Sequence, residues 1–439
     1  MKWSKYTLFF RSAKHGHLIY SALTNTFGAV NEASAAEIER IREDPEAYDF
    51  TRRPELLLQL VMAKMLVEPG EEEELIRVNR LQRLYQSFDA TTAAFTIVPT
   101  LACNFACTYC YEEFRRPVHM QEETEERLIA FVRRFRGLQN FHVEWFGGEP
   151  TLRFETMCRI SRKLDGLGIP WTASLVTNGY LLDQEVVAKL DELRIALVQV
   201  TVDGTAAAHD RRRPLAGGGP TYERILRNIG GLLERWGGNL HLRVNVDHAN
   251  SEEFFTLRRE LLARFSGKRL FVYPGFVIET SVRNPHGACT FDREAACRFQ
   301  IEAYRRHGIE DLPFYPELRT GCGATDKNSF VIGPEGEIYK CYIDVGTPAR
   351  VIGNIEEDRP WNLGLLADYM IGTSVFEDPG CRDCFFLPLC DGGCRNARMR
   401  AGDVLNHVHT CVHFREMLPE WLEIHYEIRE KTAARGESR

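Results

Sequence analysis

The stretch Cys103-Asn104-Phe105-Ala106-Cys107-Thr108-Tyr109-Cys110 places three cysteines at CxxxCxxC spacing, directly after an apolar run that is typical of a strand. Three thiolates this close together can hold a [4Fe-4S] cube and leave one iron open to a small molecule. Two other interpretations stay open at this point. A zinc site would need a fourth ligand, for which His119 is the nearest candidate, and a disulfide would leave one cysteine over.

The composition indicates a globular protein with several buried cores, since 44% of its 439 residues are hydrophobic. The formal charge is -7, and Lys and Arg are scattered among acidic residues, so no nucleic-acid partner is expected. No charged-then-apolar signal peptide is visible, and the longest apolar patch, Leu56 to Val67, is broken by Gln59 and Lys64. We therefore expect a cytoplasmic protein without a membrane partner.

The chain has 13 cysteines, and ten of them fall into two clusters. In a reducing compartment such clusters are typical of metal ligands or reactive thiols rather than disulfides. Of the other three, Cys158 lies on a predicted helix and is interpreted as a core residue, since an unclustered cysteine usually behaves as a small buried hydrophobe. Cys289 and Cys297 are considered below as substitute ligands.

Short apolar runs alternate with amphipathic helices from Phe95 to about Ile278, which predicts parallel strands joined by helical crossovers. The fold class predicted from this alternation is α/β, with a partial (β/α)6 TIM-like barrel. The predicted strands are Phe95 to Val98, Phe141 to Phe146, Ala173 to Val176, Ala196 to Val202, Leu240 to Val246 and Leu270 to Tyr273.

Polar, mostly glycine-bearing motifs follow the predicted strands. The cysteine loop follows the first strand, and the next four strands precede Gly147-Gly148-Glu149-Pro150, Thr177-Asn178-Gly179, Asp203-Gly204 and Asp247-His248-Ala249-Asn250. In a barrel of βα units the carboxyl ends of the strands form the catalytic face. One such motif is a weak signal because turns favour these residues, but five in register predict an active site.

Two further regions flank the barrel. Residues 1–90 read as a three-stranded unit with small helices, including one from Pro54 to Leu66, and this predicts a winged-helix-like domain. The alternative is a capping or dimerisation domain, because a fold alone does not give a function. The last third holds seven cysteines on glycine-punctuated loops, enough for two metal centres, with a zinc ribbon as the alternative. The predicted segments are 1–90, the barrel at 91–280, a bridging region at 281–320 and a Cys-rich domain at 321–439.

As a set, these motifs resemble radical S-adenosylmethionine (SAM) enzymes with a SPASM domain, over residues 93–412. The CxxxCxxC loop, GGEP after the second strand and the C-terminal Cys-x13-Gly-x4-Cys, CxxCx5Cx3C, Cys array carry the resemblance. The segment from Val202 to Tyr222 is similar to the peptide-modifying branch, and the N-terminal unit is similar in pattern to the leader-peptide recognition domain of peptide maturases.

The resemblance implies roles for the barrel residues. Cys103, Cys107 and Cys110 would hold a [4Fe-4S] cluster that binds SAM, whose cleavage gives a 5'-deoxyadenosyl radical for hydrogen abstraction. Gly147 and Gly148 would admit the methionyl end of SAM, with Glu149 accepting from its ammonium group. Three more candidates point by position towards the ribose and carboxylate of SAM: Asn178, Gln199 and Arg243. No protein side chain is assigned as catalytic beyond the cluster.

The resemblance also implies two auxiliary iron-sulfur clusters. The distal one would be held by Cys381, Cys384, Cys390 and Cys411. The proximal one would be held by Cys322, Cys341 and Cys394, which is one cysteine short. Either an iron stays open to a substrate thiolate, or Cys289 or Cys297 supplies the fourth ligand.

Two departures from the family pattern bear on the substrate. Anaerobic sulfatase maturases carry a cysteine at the position of Pro316 and a catalytic Asp at the position of Tyr342, which argues against sulfatase maturation. The resemblance implies a maturase that binds a ribosomal precursor peptide and installs a crosslink, a thioether above all, with flavodoxin or ferredoxin as reductant. The alternatives are sulfatase-maturase-like oxidation of a protein side chain and a non-catalytic, metal-stabilised peptide scaffold.

Overall fold

The computed structural model describes residues 1–110, 112, 117–277, 290–316, 321–400 and 411–436. Its contacts group the chain into two compact units, and each is described by itself below. The first, here called the terminal unit, comprises Met1–Ser87, Arg293–Gly321 and Thr373–Arg439. The second, here called the barrel unit, comprises Phe88–Asp292 and Cys322–Gly372. The four segments predicted above remain a prediction of the sequence.

The N-terminal part of the terminal unit is built from short strands and three helices. They are β1 Lys2–Trp3, β2 Thr7–Ser12, β3 Gly16–Ser21, β4 Thr26–Val30, α1 Glu32–Glu43, α2 Pro54–Met62, β5 Leu66–Val67 and α3 Glu71–Ser87. Strands β2, β3 and β4 form an antiparallel sheet, and β1 pairs with β5. The predicted helix over Pro54 to Leu66 ends early, because Lys64 has a φ of 53° and the chain turns into β5.

Six strands and six helices alternate through the first part of the barrel unit. They are β6 Thr92–Ile97, α4 Glu122–Arg133, β7 Asn140–Trp145, α5 Phe154–Asp165, β8 Trp171–Thr177, α6 Gln184–Ala188, β9 Ile195–Thr201, α7 Ala206–Arg212, α8 Tyr222–Arg235, β10 Asn239–Val246, α9 Ser251–Arg264 and β11 Leu270–Phe276. All six strands lie where the alternation predicted them, with boundaries shifted by a few residues.

The rest of the chain returns to the terminal unit, then to the barrel unit, then to the terminal unit again. The elements are α10 Arg293–Arg305, β12 Ser329–Ile332, β13 Glu337–Tyr339, β14 Gly353–Asn354, α11 Leu363–Ala367, α12 Pro379–Arg382, α13 Arg395–Arg400 and α14 Leu418–Ala434. Short 3-10 turns occur at Phe50–Arg52, Pro150–Arg153, Gly323–Thr325, Tyr342–Asp344, Pro348–Arg350 and Arg415–Met417, and a π-helical turn at Asp368–Gly372. None of the described helices is long and apolar enough to cross a membrane.

The barrel strands pair in parallel and in chain order, from β6 through β11. This order confirms the predicted partial barrel, because right-handed helical crossovers place each new strand beside the last. Parallel pairing also brings every carboxyl end to one edge of the sheet. The motifs after the strands are therefore neighbours in space, as the sequence predicted.

A strand that the alternation did not predict extends this sheet. β12 pairs in parallel with β6, with Val331 opposite Thr96 and Ile332 opposite Ile97, and β13 and β14 continue the sheet antiparallel. It covers the edge of β6 that would otherwise expose unpaired backbone groups. The segment that carries Cys322 and Cys341 is thereby attached to the strand that precedes the first cysteine loop.

Aromatic packing fills the core between the sheet and its helices. The ring of Phe95 on β6 makes edge contacts with Phe131, Phe135 and Phe141 at centroid distances of 5.5 to 6.3 Å. Phe95 is 1% exposed, so this aromatic cluster fixes the start of the barrel against its first helix.

Candidate active site

The cysteine loop has no regular structure of its own and is held by pairing with residues 212–216. Phe105 and Leu215 form an antiparallel bridge. The amides of Ala106 and Thr108 donate to the carbonyls of Pro214 and Arg212 at 2.9 and 3.0 Å. These bonds satisfy amides that the loop itself leaves unpaired. The shape of the loop therefore depends on the chain that follows the fourth barrel strand.

A second pairing holds the chain just before the loop. Thr100 and His119 form an antiparallel bridge, and the Thr100 hydroxyl lies 2.7 Å from Nδ1 of His119. His119 is not among the described residues that line the cavity of the three cysteines. The structure thus gives His119, the candidate zinc ligand of the sequence, a place in the fold outside that cavity.

A cavity of about 360 Å³ opens at the carboxyl ends of the barrel strands. Among the described residues no group of three or more His, Cys, Asp and Glu side chains is arranged to hold a single metal ion. The cavity is lined by all nine residues that the sequence assigned to the cluster and SAM in the barrel: Cys103, Cys107, Cys110, Gly147, Gly148, Glu149, Asn178, Gln199 and Arg243.

Gly147 and Gly148 allow the second strand end to touch the backbone that leads into the cysteine loop. A Cβ on Gly147 would lie 2.5 Å from the carbonyl oxygen of Thr100, and one on Gly148 would lie 2.3 Å from that of Ala102. Gly147 also has a φ of +123°, which side-chain-bearing residues rarely adopt. The amides of Gly148 and Glu149 donate to these same two carbonyls at 3.2 and 2.9 Å. The main role of the two glycines of the GGEP motif is therefore to let the second strand end approach the backbone at Thr100 and Ala102.

Glu149 is fully buried, and its carboxylate is already bound by the chain. Oε1 accepts from the Thr151 amide at 3.1 Å and from the Thr177 hydroxyl at 2.7 Å, and Oε2 accepts from the Asn178 amide at 2.7 Å. Burial raises the pKa of Glu149, although these donors oppose the rise. Glu149 thus ties the second strand end to the third. Its predicted bond to the ammonium group of SAM stays a prediction.

The three weaker candidates are also anchored. The Asn178 side chain donates to the Asn104 side chain at 2.7 Å, which connects the third strand end to the cysteine loop. Gln199 accepts from the Tyr273 hydroxyl at 2.6 Å. Nε of Arg243 donates to Asn245 at 2.8 Å. Their positions on the cavity wall match the predicted placement, and their roles towards SAM remain proposals.

A hydrogen-bond network centred on Tyr109, which the sequence did not predict, lies beside the cysteine loop. The Tyr109 hydroxyl bonds Asp203, accepts from Nη1 of Arg213 at 2.5 Å and accepts from the Asn245 amide group at 3.0 Å. Asp203 also accepts from the Asn245 backbone at 2.8 Å. The signal that was available is the position of Asp203 after the fourth strand, but nothing in the spacing paired it with a tyrosine inside the cysteine loop.

Arg213 places a buried positive charge beside the cysteine loop. It is 7% exposed, and its guanidinium lies 5.7 Å from the Phe105 ring centroid. Burial alone would lower the pKa of Arg213, but Cys107, Tyr109 and Asp203 outweigh burial and raise it. The arginine therefore stays charged, and it would offset the negative charge of a cluster held by Cys107.

A second cavity, of about 460 Å³, lies within the terminal unit. Nη2 of Arg398 lies 3.8 Å from Sγ of Cys381, and Nη1 of Arg415 lies 3.5 Å from Sγ of Cys411. Burial raises the pKa of the Cys390 thiol to about 11. The four cysteines that the resemblance assigned to the distal cluster all line this cavity: Cys381, Cys384, Cys390 and Cys411.

Arg83 on α3 holds the loop that carries Cys390. Its Nη1 donates to the Cys390 carbonyl at 2.5 Å, and its Nη2 donates to the Pro388 carbonyl at 2.8 Å. Arg80 pairs with Glu377 on the same loop region. Arg83 is partly buried, and burial lowers its pKa. Helix α3 is therefore a structural support of the second cavity.

The remaining cysteines belong to different units of the structure. Cys322 and Cys341 belong to the barrel unit and Cys394 to the terminal unit, so their grouping stays a prediction. Cys158 is buried, as expected of a core residue. Cys297, a candidate substitute ligand, is also buried, and Cys289, the other candidate, lies outside the described residues. Tyr342, directly after Cys341, is 44% exposed, lines the first cavity and packs 5.2 Å from the Phe146 ring.

Comparison with known proteins decides the family. The sequence matches the Radical SAM superfamily over residues 97–261. It is 30% identical over 326 residues to the cysteine-type anaerobic sulfatase-maturating enzyme of Clostridium perfringens, an alignment that covers 67% of this chain and 86% of the relative. The chain belongs to the radical SAM superfamily. It is also 25% identical over 326 residues to the PqqA peptide cyclase of Rhodopseudomonas palustris, covering 69% of this chain and 82% of the cyclase.

Solved structures share the fold of this radical SAM protein. Native anSMEcpe with bound AdoMet and Cp18Cys peptide superposes with a TM-score of 0.59 at 19% identity, over 78% of this chain and 99% of the other. Streptococcus suis SuiB bound to precursor peptide SuiA superposes with a TM-score of 0.53 at 16% identity, over 95% of this chain and 99% of SuiB. At these identities the likeness shows the α/β fold with its partial parallel barrel.

Membership of the radical SAM superfamily implies a [4Fe-4S] cluster and SAM, and the first cavity fits them. The three thiols come from one loop, and the two glycines let the second strand end lie directly against the backbone that leads into that loop. Three cysteine ligands leave a cube with one iron for a small molecule. The chemistry of the lining residues is therefore that of a site for a three-cysteine cluster with a bound organic ligand.

Gly148→Ala tests the close approach at GGEP. The added Cβ meets the Ala102 carbonyl, and relieving such overlap costs about 1–3 kcal/mol. We expect the affinity of the anaerobically reconstituted enzyme for SAM, measured by equilibrium dialysis, to fall about tenfold or more. Gly217→Ala is the matched control, since a Cβ there meets nothing within 4 Å. Equal affinities of the two variants would contradict the role assigned to Gly148.

Arg83→Met tests the support of the second cavity. It removes charged donors from the Cys390 and Pro388 carbonyls, each worth about 1.5–3 kcal/mol. We expect a lower thermal midpoint and less iron per chain after reconstitution, with SAM binding retained. Arg77→Met, an exposed arginine on the same helix, is the control. Unchanged iron and midpoint in Arg83→Met would show that α3 does not support this cavity.

Proposed function

We propose that this radical SAM enzyme is a peptide maturase that binds a ribosomally made precursor and crosslinks it, with a cysteine thioether as the product. The observation that carries the proposal is a groove of about 530 Å³ in the terminal unit, beside the edge strand β4. An enzyme whose substrate binds only in the first cavity does not require such a groove. An enzyme that also holds its peptide substrate at a distance from the reacting residue requires a second binding groove.

The groove has the chemistry of a peptide site. Strand β4 pairs on one side with β3 and is the edge of its sheet, so its other side can accept an added strand. The apolar residues Ile38, Leu56, Leu60 and Met65 line the groove and supply contacts for side chains of that strand. Main-chain bonds and apolar pockets are what extended-peptide recognition uses.

Two of the similar proteins support a peptide substrate. SuiB was solved with a precursor peptide, and the Rhodopseudomonas palustris relative is a peptide cyclase. The sulfatase-maturating relatives favour a second candidate, oxidation of a side chain in a protein. Tyr342 argues for the first, because sulfatase maturases resemble this chain but carry an Asp there, and Tyr342 faces the same cavity as the three cysteines.

The residues of the chain would divide the work as follows. When bound, the cluster and SAM supply a radical able to remove hydrogen from an unactivated C–H bond. Cys103, Cys107 and Cys110 hold the cluster, and Arg213 offsets its negative charge. Forming a thioether from a C–H and an S–H removes two hydrogens, one as an atom and one as a proton plus an electron. The cysteines of the second cavity are the proposed seat of an auxiliary cluster, and a flavodoxin or ferredoxin is the proposed reductant.

Cys107→Ala separates catalysis from peptide binding. Loss of one of three ligands should abolish release of 5'-deoxyadenosine and crosslinking, while the affinity for the precursor is kept. Cys158→Ala, at a buried cysteine that lines neither cavity, should retain both activities. The precursor is co-expressed with each variant and its mass is recorded before and after treatment with iodoacetamide.

The product distinguishes the two candidate functions. A thioether lowers the peptide mass by two hydrogens and leaves the joined cysteine unreactive to iodoacetamide. Oxidation of one side chain to a carbonyl leaves a group that reacts with a hydrazide probe. A precursor of unchanged mass, with 5'-deoxyadenosine released, would contradict crosslinking.

Gly28→Phe tests the groove. Gly28 lies on β4, and an added Cβ meets nothing within 4 Å, so a large side chain fills the groove without straining the chain. We expect the dissociation constant for the precursor, measured by fluorescence anisotropy, to rise about tenfold or more. Leu58→Phe, at a residue that is 59% exposed on α2 outside the groove, is the control. Equal affinities for the two variants would place the peptide elsewhere.

A further inference from the structure

A second cleft on the barrel unit is lined by arginines that the proposed function does not use. It measures about 460 Å³ and lies between α6 and α8. Arg224, Arg227 and Arg235 line it from α8, at spacings that bring them to one side of a helix with 3.6 residues per turn. The opposite side of α8 is buried in the core through Ile225, Leu226, Ile229 and Leu232. We call the three arginines the α8 arginine face.

The α8 arginine face is exposed and carries three positive charges. Within the part of the chain that the structure describes, Arg224, Arg227 and Arg235 have no ion pair, whereas Arg298 and Arg306 each pair with a glutamate four residues away. The one carboxylate lining the cleft, Asp183, accepts from two backbone amides as the cap of α6. The described lining of the cleft therefore holds three arginines and one engaged carboxylate, while Glu223 and Glu234 lie exposed on α8 outside that lining. The chain as a whole has a formal charge of -7.

Tyr180 connects the α8 arginine face to the cysteine loop, because it contacts Arg224 on one side and Phe105 on the other. Nε of Arg224 donates to the Tyr180 carbonyl at 3.0 Å, and its guanidinium lies 4.2 Å from the Tyr180 ring centroid. The Tyr180 ring packs against the Phe105 ring at 5.8 Å. The Phe105 amide lies 3.4 Å from Sγ of Cys103. The surface and the first cluster ligand are therefore separated by two aromatic side chains.

We propose that the α8 arginine face is the docking surface for an acidic one-electron donor protein that reduces the cluster on Cys103, Cys107 and Cys110. The proposal rests on the proposed function only in requiring that this cluster exists. The donor, a flavodoxin hydroquinone or a reduced ferredoxin, loses one electron, the cluster gains it, and no atom is transferred.

The short path to the cluster favours an electron donor over a peptide at this face. An acidic peptide would satisfy the same arginines, but it gains nothing from lying beside Tyr180 and Phe105. Electron transfer weakens steeply with distance, so a donor must dock where few side chains intervene. Uncompensated charge on a cleft also raises the association rate of an oppositely charged protein, by about 10 to 1,000-fold at low salt.

The test uses the reconstituted full-length enzyme and a purified acidic flavodoxin as the probe. In the variant Arg224→Glu, Arg227→Glu, Arg235→Glu we expect the dissociation constant for flavodoxin to rise about tenfold or more at low salt. The stopped-flow rate at which flavodoxin hydroquinone reduces the cluster should fall by a similar factor. Both effects should fade as salt is added, since exposed charges are screened.

A matched control changes the same amount of charge on and after the next helix. Arg259→Glu, Arg264→Glu, Lys268→Glu alters three exposed cations near α9 and should leave flavodoxin affinity and reduction rate unchanged. The milder variant Arg224→Gln, Arg227→Gln, Arg235→Gln guards against a folding defect in the charge reversal and should give a smaller loss in the same direction.

Three outcomes would overturn the proposal. One is that the charge reversal weakens the binding of flavodoxin no more than the control substitutions do. Another is the absence of salt-dependent binding of flavodoxin or ferredoxin to the unaltered enzyme. The third is a loss of precursor binding with flavodoxin binding intact, which would assign the face to the peptide. Reduction by dithionite separates this test from the proposed function, because dithionite does not need a docking surface. If neither the unaltered enzyme nor any variant cleaves SAM with dithionite, the cluster is contradicted and not the docking surface.

Discussion

The structure depends on the backbone pairing between the cysteine loop and residues 212–216. A chelating loop must present three thiols to one point, and this leaves few of its own amides with partners. Here the Ala106 and Thr108 amides are satisfied by carbonyls of the chain after the fourth strand. Ala106 and Thr108 are exposed residues, so each of these bonds contributes about 0.5–1.5 kcal/mol. The shape of the loop is therefore stabilised by a segment about 105 residues further along the chain.

Buried charge strengthens the same dependence. Arg213 and Asp203 meet at the Tyr109 hydroxyl, and each is nearly or fully buried. Removing one member of a buried charged pair costs about 3–5 kcal/mol when the other stays uncompensated. Arg212, whose Nε lies 3.8 Å from Asp203, reduces that cost for the loss of Arg213. His209 supports the arrangement, since its Nδ1 accepts from the Asp203 amide at 3.0 Å. His209 thus shapes the loop after the fourth strand. It is not among the described residues that line the first cavity.

The sequence predicted the parallel barrel strands and the residues around the first cavity, because both follow from local pattern. Alternating apolar runs and helices predict strand order, and strand order brings Gly148, Asn178 and Arg243 to one edge. Contacts between distant segments could not be predicted in this way. β12 has four residues and no neighbour in sequence that marks it as a barrel strand. Likewise, no spacing rule connects Arg83 with Cys390, or α8 with the cysteine loop.

A cation accompanies every group of cysteines that the structure describes. Arg213 lies beside Cys107, Arg398 and Arg415 lie beside thiols of the second cavity, and the charge of Lys340 is felt at Cys322. Thiolate-bound iron clusters carry negative charge that grows on reduction, and buried charge of one sign needs an opposite charge nearby. Each of the three arginines also has a carboxylate nearby: Arg213 meets Asp203 at the Tyr109 hydroxyl, Arg398 pairs with Asp378, and Arg415 lies 3.6 Å from Glu416. A cluster on these loops would add negative charge beside cations that the fold already holds in place, which supports the proposal that the loops hold charged clusters.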